Sequence, residues 1–149
     1  RTIHDRYHAV KRNPFNEVEC SDHYARAMAS YGTFITACVF TYHGPNRIIG
    51  FAPKLRKENF KAAFTAAEGW GTYSQSRTGK QQVHRFELKY GKLTLQNIHV
   101  EKPEKVKSYN VTIDKTQVAA EIEQNGVSVR VRFAQAITLE KGQVLALTL

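Results

Sequence analysis

Glu17, Glu19, Asp22, His23 and Arg26 bring three carboxylates, an imidazole and a guanidinium together within ten consecutive positions. A carboxylate accepts hydrogen bonds from two adjacent hydroxyls, and a guanidinium donates several from a fixed fork, so this set suits a polyhydroxylated ligand such as a sugar. On one continuous helix Glu17 and Arg26 would point in opposite directions, about 180° apart around the axis and ~13 Å apart along it. Pro14 and the turn-prone Asn13 and Asn16 argue against a helix that begins much before Glu19, and Ser21 or Asp22 is a natural N-cap. With the helix starting at Asp22 or His23, Glu17 sits in the loop ahead of it and folds back, and Arg26 lies one turn in. The two then line one pocket mouth. A purely structural reading stands beside this one: Asp22 caps the helix, Glu19 favours its positive end, and Arg26 pairs with Glu19 or Asp22 across a turn. Glu17 and Glu19 also share a face of an extended segment at a Cα spacing of ~6.5 Å. Two acids on a single loop do not flank a scissile bond from opposite sides, as a catalytic pair must.

The elements that position these residues come next. No charged residue occurs between Arg26 and Arg47, and the pattern predicts a helix from His23 to about Tyr42. Tyr24, Met28, Tyr31, Ile35 and Cys38 form one stripe, and Ala25, Ala29 and Gly32 form a smooth second face. Such a helix is buried by neighbours on several sides. Left without them it exposes an apolar patch that favours self-association. Ser30, Thr33, Thr36 and Thr41 interrupt it, so it is not read as a membrane span.

After the turn His43-Gly44-Pro45-Asn46, the chain reads as β structure. Residues 58–68 fit a helix ending at Gly69 or a strand, and the strand is favoured by its continuation into Trp70 and Thr72. Ser76 to Lys80 is read as a turn, and Phe86, Leu88 and Tyr90 alternate on one face of the next strand. Leu93 and Leu95 are followed out of phase by Ile98 and Val100, which predicts a bulge near Gln96-Asn97. Asn125-Gly126 signals a type I′ hairpin between strands at 118–123 and 127–133. Some seven short strands with polar alternate faces predict an antiparallel sandwich. Trp70 between Gly69 and Gly71 has two readings: core or inter-domain packing, or an exposed ring on which a sugar stacks with Glu68 beside it.

The run from Arg12 to Cys20, Arg-Asn-Pro-Phe-Asn-Glu-Val-Glu-Cys, followed by Asp-His-Tyr-Ala-Arg-Ala-Met-Ala-Ser-Tyr over residues 22–31, resembles the signature near the C-terminal end of the catalytic domain in glycoside hydrolase family 116. That family contains the non-lysosomal glucosylceramidases and bacterial β-glucosidases. Some twenty ordered positions make a far more specific motif than a short pattern. Ser21 departs from it, since many relatives carry Gly there. The similar family segment also carries the Phe-Thr-Ala-Ala-Glu-Gly-Trp-Gly string of residues 64–71.

The resemblance implies an α+β chain: the terminal helix portion of an (α/α)6 toroid over residues 1–56, then an antiparallel β-sandwich-like C-terminal domain over 57–149. It implies that Glu17 and Arg26 bind hydroxyls of the sugar next to the scissile bond; Glu19, His23 and Trp70 are further substrate-binding candidates on the chemistry of their side chains. The family is retaining, and both catalytic carboxylates lie upstream of the motif, so the chain is expected to be the C-terminal fragment of a β-glycosidase and inactive alone. Its partners are then a carbohydrate substrate and the remainder of the catalytic domain. The alternative is a non-catalytic carbohydrate-binding or structural β-sandwich module.

Opening on Arg1 without Met, the chain is read as a piece of something longer. A net charge of +9 raises the question of a nucleic-acid partner, but the basic residues are scattered apart from Arg47, Lys54, Arg56, Lys57 and Lys61, and no nucleic-acid module is recognisable, so none is expected. His4 and His8 have helical metal-clamp spacing but no third ligand and no helical stripe, so no metal is expected. The absence of a phosphate-cradling Gly loop implies no cofactor. A Cys20–Cys38 disulfide is excluded if the helix between them forms.

Overall fold

The computed structural model describes residues 27–149. Thr36–Leu149 forms one compact unit. A helix, α1 (Ala27–Cys38), is followed by ten strands: β1 (Thr41–His43), β2 (Ile48–Phe51), β3 (Asn59–Thr65), β4 (Gly69–Thr78), β5 (Gln81–Glu101), β6 (Asn110–Ile113), β7 (Thr116–Gln117), β8 (Glu121–Asn125), β9 (Ser128–Glu140) and β10 (Val144–Thr148). The β-sandwich-like expectation holds for this part of the chain. Of the expected toroid portion, residues 1–26 lie outside those described, and the toroid is not shown by the rest.

The helix stops at Cys38, four residues short of the expected Tyr42. Val39 takes a left-handed φ of 46°, and the β-branched and aromatic Thr41-Tyr42 pair with β2 instead. Two carbonyls of the last helical turn are satisfied by the chain leaving β2: Ala52 N donates to Cys38 O at 3.0 Å and Lys54 N to Ala37 O at 2.9 Å. The ladder thus ends the helix and also caps it. β1 and β2, which precede the expected boundary at residue 56, belong to the sheet system.

One strand serves two sheets. The first half of β5 pairs with β4 and β10, giving the order β3-β4-β5-β10-β6-β7; its second half pairs with β2 and β9, giving β1-β2-β5-β9-β8. The β2–β5 pair is parallel, which departs from the all-antiparallel expectation. Along β5 the buried positions are Gln82, His84, Phe86 and Leu88, then Leu93 and Leu95, then Ile98 and Val100. The inward phase therefore changes twice. The second change is the expected bulge: Leu95 faces Ile137, but Asn97 faces Arg132, and the Gln96 amide donates to the carbonyl of Phe133 in the excess length of β9.

The two sheets are joined by an aromatic cluster. Phe51 of β2 stacks on Tyr73 of β4, with centroids 4.0 Å apart and planes at 4°. Phe86 lies 5.0 Å from Tyr73, and Phe40 lies 5.0 Å from Phe51. Such pairs add roughly 0.5–1.5 kcal/mol each beyond the area they bury.

The turns are tighter than read from the sequence. β4 runs on to Thr78, leaving Gly79-Lys80 as the connection. The strand expected at 118–123 begins only at Glu121, as β8, and residues 118–120 belong to no strand. In the β8–β9 hairpin Asn125 is paired with Ser128, so Gly126 and Val127 form the turn. Of these two only Gly126 has positive φ, which is the pattern of type II′ rather than I′.

The first phase change on β5, between Leu88 and Tyr90, is followed by Gly91, with φ at 71°, where a Cβ would lie 1.9 Å from the Glu68 carbonyl. Gly91→Ala is expected to destabilise the chain by more than about 2 kcal/mol, since it combines a left-handed φ with a backbone clash. Gly126→Ala has the same φ problem in open space and should cost about 1 kcal/mol. Urea denaturation of both variants measures the difference.

Candidate functional site

Glu17, Glu19, His23 and Arg26 lie outside the described residues. Trp70, the remaining candidate, opens β4 after a tight hairpin tip. Ala66 N donates to Gly69 O at 2.8 Å, Lys92 N to Glu68 O at 3.1 Å, and Ala67 N to the Tyr42 hydroxyl at 3.3 Å. The 64–71 string is therefore a β3–β4 hairpin with Phe64 inward and fully buried.

The flanking glycines determine where the indole goes. A Cβ at Gly69 would lie 2.5 Å from Tyr90 O, and one at Gly71 would lie 2.2 Å from Glu87 O and 2.7 Å from the Phe64 ring. The inward positions on either side of Trp70 have no room for a side chain, and the indole lies on the outer face. It is 51% exposed, so core packing within this domain is not its role.

Its cross-strand partner is Tyr90, which is 62% exposed. The two rings are nearly parallel, at 18°, with centroids 6.5 Å apart. Alternation placed Tyr90 with Phe86 and Leu88, and the structure corrects this. Trp70 faces Tyr90 but Gly71 faces Leu88, so Lys89 is an extra residue that turns Tyr90 outward. Gly91 beside it was the available signal. Two ion pairs flank the rings: Glu68 with Lys92 at 3.2 Å, and Glu87 with Lys89.

Tyr73 and His84 are the pair most like a catalytic dyad, with Oη to Nδ1 at 2.7 Å, but both are fully buried. The surrounding amides fix the protons. Gln75 donates to Lys57 O, and Gln82 donates to Glu101 O while accepting from Arg77 Nε. Gln75 Oε1 therefore accepts from the Tyr73 hydroxyl, and the Gln82 amide donates to His84 Nε2. The one arrangement that satisfies every group is a neutral His84 whose Nδ1–H donates to Tyr73 Oη. Burial, with Arg77 and Lys102 nearby, pushes the His84 pKa down to about 3. Burial likewise holds the Tyr73 hydroxyl well above its ordinary value. The network is structural.

A cavity of about 510 Å³ lies between the β5–β6 connection and the end of β10, lined by Lys80, Lys102, Glu104, Lys105, Lys107 and Tyr109 among others. Lys102 is buried and already occupied: its ammonium donates to Lys80 O at 2.6 Å and Leu149 O at 3.4 Å, with Glu104 at 3.9 Å. In the dense basic run, Lys54 and Lys57 both reach Glu101, at 3.4 and 4.0 Å. Among the described residues no group of three or more His, Cys, Asp or Glu is placed to hold a metal ion, and no helix is long and apolar enough to cross a membrane. Cys38 is a buried free thiol whose pKa burial raises. No protein-family model matches the chain, and no curated protein matches it.

The neutral His84 makes stability pH-dependent in one direction. Unfolded, it takes up a proton near its ordinary 6.5; folded, it refuses one until about 3. Between those values the unfolded state binds more protons, and stability falls as pH drops, by up to about 1.4 kcal/mol per pH unit. His99, lowered by partial burial and Arg130, acts in the same direction. The urea midpoint is expected to fall between pH 7.5 and pH 4.5, and the fall should shrink in His84→Gln.

Proposed function

We propose that this chain is the C-terminal portion of a retaining β-glycosidase resembling family 116, of the β-glucosidase or glucosylceramidase kind. The observation that carries the reading is the ordered motif over residues 12–31, in which Glu17 and Arg26 occupy the positions that the resemblance marks for sugar binding. In this reading those residues close the end of an (α/α)6 toroid, and the β-domain follows.

The roles follow from the side chains. The Glu17 carboxylate accepts hydrogen bonds from two neighbouring sugar hydroxyls, and the Arg26 fork donates to the oxygens beside them. Both hold the ring next to the scissile bond. Hydrogen bonds of this kind strengthen as the ring flattens toward an oxocarbenium ion, so they favour the transition state over the bound substrate. The nucleophile and the acid/base carboxylate come from the portion of the catalytic domain preceding the motif, and the helix from Ala27 is part of the wall against which that portion packs.

Two outcomes are expected with 4-nitrophenyl β-glucoside. The 149-residue chain alone shows no turnover; measurable turnover would overturn the proposal. In the longer parent protein, Glu17→Gln lowers kcat/KM by on the order of 100-fold or more, whereas Glu19→Gln stays within several-fold. Equal and near-total loss in both variants would instead identify Glu17 and Glu19 as a catalytic pair.

A further inference from the structure

We infer that Trp70 and Tyr90 form a saccharide-stacking site on the outer face of the β-domain, taking a neutral β-linked glucan. The site is additional to the Glu17 and Arg26 pair, and the choice of a β-gluco ligand rests on the glycosidase reading given above.

Four observations carry it. The rings are the two largest exposed aromatic surfaces that meet on this face, nearly parallel and offset, with 6.5 Å between centroids. Together they present two adjacent exposed aromatic surfaces. The platform is rigid, because Trp70 and Tyr90 are register partners on paired strands, and the hairpin tip is fastened by the Ala66–Gly69, Lys92–Glu68 and Ala67–Tyr42 hydrogen bonds. Little conformational freedom is lost when a ligand settles on it.

Trp70 is half exposed, so part of the indole surface is open to solvent. A β-glucose ring carries its C–H bonds axially and its hydroxyls equatorially, which presents an apolar face to an aromatic ring and a polar edge all round. The fourth observation is the rim. Glu68 with Lys92 and Glu87 with Lys89 supply two carboxylates and two ammonium groups at the edge of the platform, so acceptors and donors are both present for those hydroxyls.

The rim also excludes the nearest competitor. Single-stranded nucleic acids and anionic polymers stack on exposed aromatics too, but they do so in a positively charged groove. Here each flanking ammonium is paired with a carboxylate. A protein partner would need a much larger patch, about 800 Å² on each side of a stable interface.

Trp70 is the only tryptophan of the 149 residues, so the emission of the unmodified chain reports on this site alone. Titration with cellohexaose is expected to shift and saturate that emission. Tyr90→Ala should weaken the response by about tenfold, and Tyr90→Phe, which keeps the ring, should respond nearly as the unmodified chain does. Maltohexaose, with α linkages, and dextran sulfate should bind weakly or not at all.

An emission that does not respond to millimolar cellohexaose overturns the site, as does a response unchanged in Tyr90→Ala or a preference for dextran sulfate. A shift seen only when the rest of the parent protein is added also overturns it and makes Trp70 an inter-domain contact. Failure here is separable from failure of the glycosidase reading. A silent indole in a protein whose parent still hydrolyses 4-nitrophenyl β-glucoside removes only this site. Cellohexaose binding alongside an inactive parent keeps the site and removes the enzyme.

Discussion

The β-domain depends on a close backbone approach at one corner. Where β4 begins and β5 crosses from one sheet to the other, Gly69, Gly71 and Gly91 bring main chain against main chain at distances that leave no room for a Cβ. This contact lets one strand of 21 residues serve two sheets. It also resets the inward phase of β5, so that Leu93 and Leu95 continue the core that Phe86 and Leu88 began. The same crowding sends Trp70 and Tyr90 outward. The architecture of the corner and the exposure of the aromatic pair therefore share one cause.

Behind the corner, part of the interior is polar. Tyr73, Gln75, Gln82 and His84 occupy inward positions that alternation would fill with aliphatic side chains, and each has its partner. A buried polar network fixes one arrangement, because any slip of β4 against β5 strands several donors at once. The stacking of Phe51 on Tyr73 ties that network to the second sheet. The network and the aromatic cluster are thus one structural unit rather than two.

Much of the β-domain was legible from period-2 patterning, including the change of phase at Gln96-Asn97, which the sequence shows directly as a break between Leu95 and Ile98. The strand over 59–65 was readable as well. Three features were not. The helix end at Cys38 is set by long-range ladder bonds to β2, which local propensity does not contain. The outward turn of Tyr90 arises from one extra residue, Lys89, whose effect appears only once β4 is paired with β5. The parallel pairing of β2 with β5 joins segments some fifty residues apart, beyond the reach of any local pattern. The sugar-binding candidates around Glu17 were legible as chemistry and as a resemblance. Of the candidate positions, Trp70 is the one the described residues contain.

The proposed sugar contacts of Glu17 and Arg26 and the proposed stacking site at Trp70 and Tyr90 both assign this chain to a protein that handles β-linked saccharides. The central claim is that these 149 residues belong to a larger β-glycosidase. The most direct test is the intact mass of the native polypeptide together with the length of its encoding reading frame. The account predicts a much longer frame, with the helical portion of the toroid and two catalytic carboxylates encoded ahead of Arg1. A native polypeptide that begins at Arg1 would contradict it.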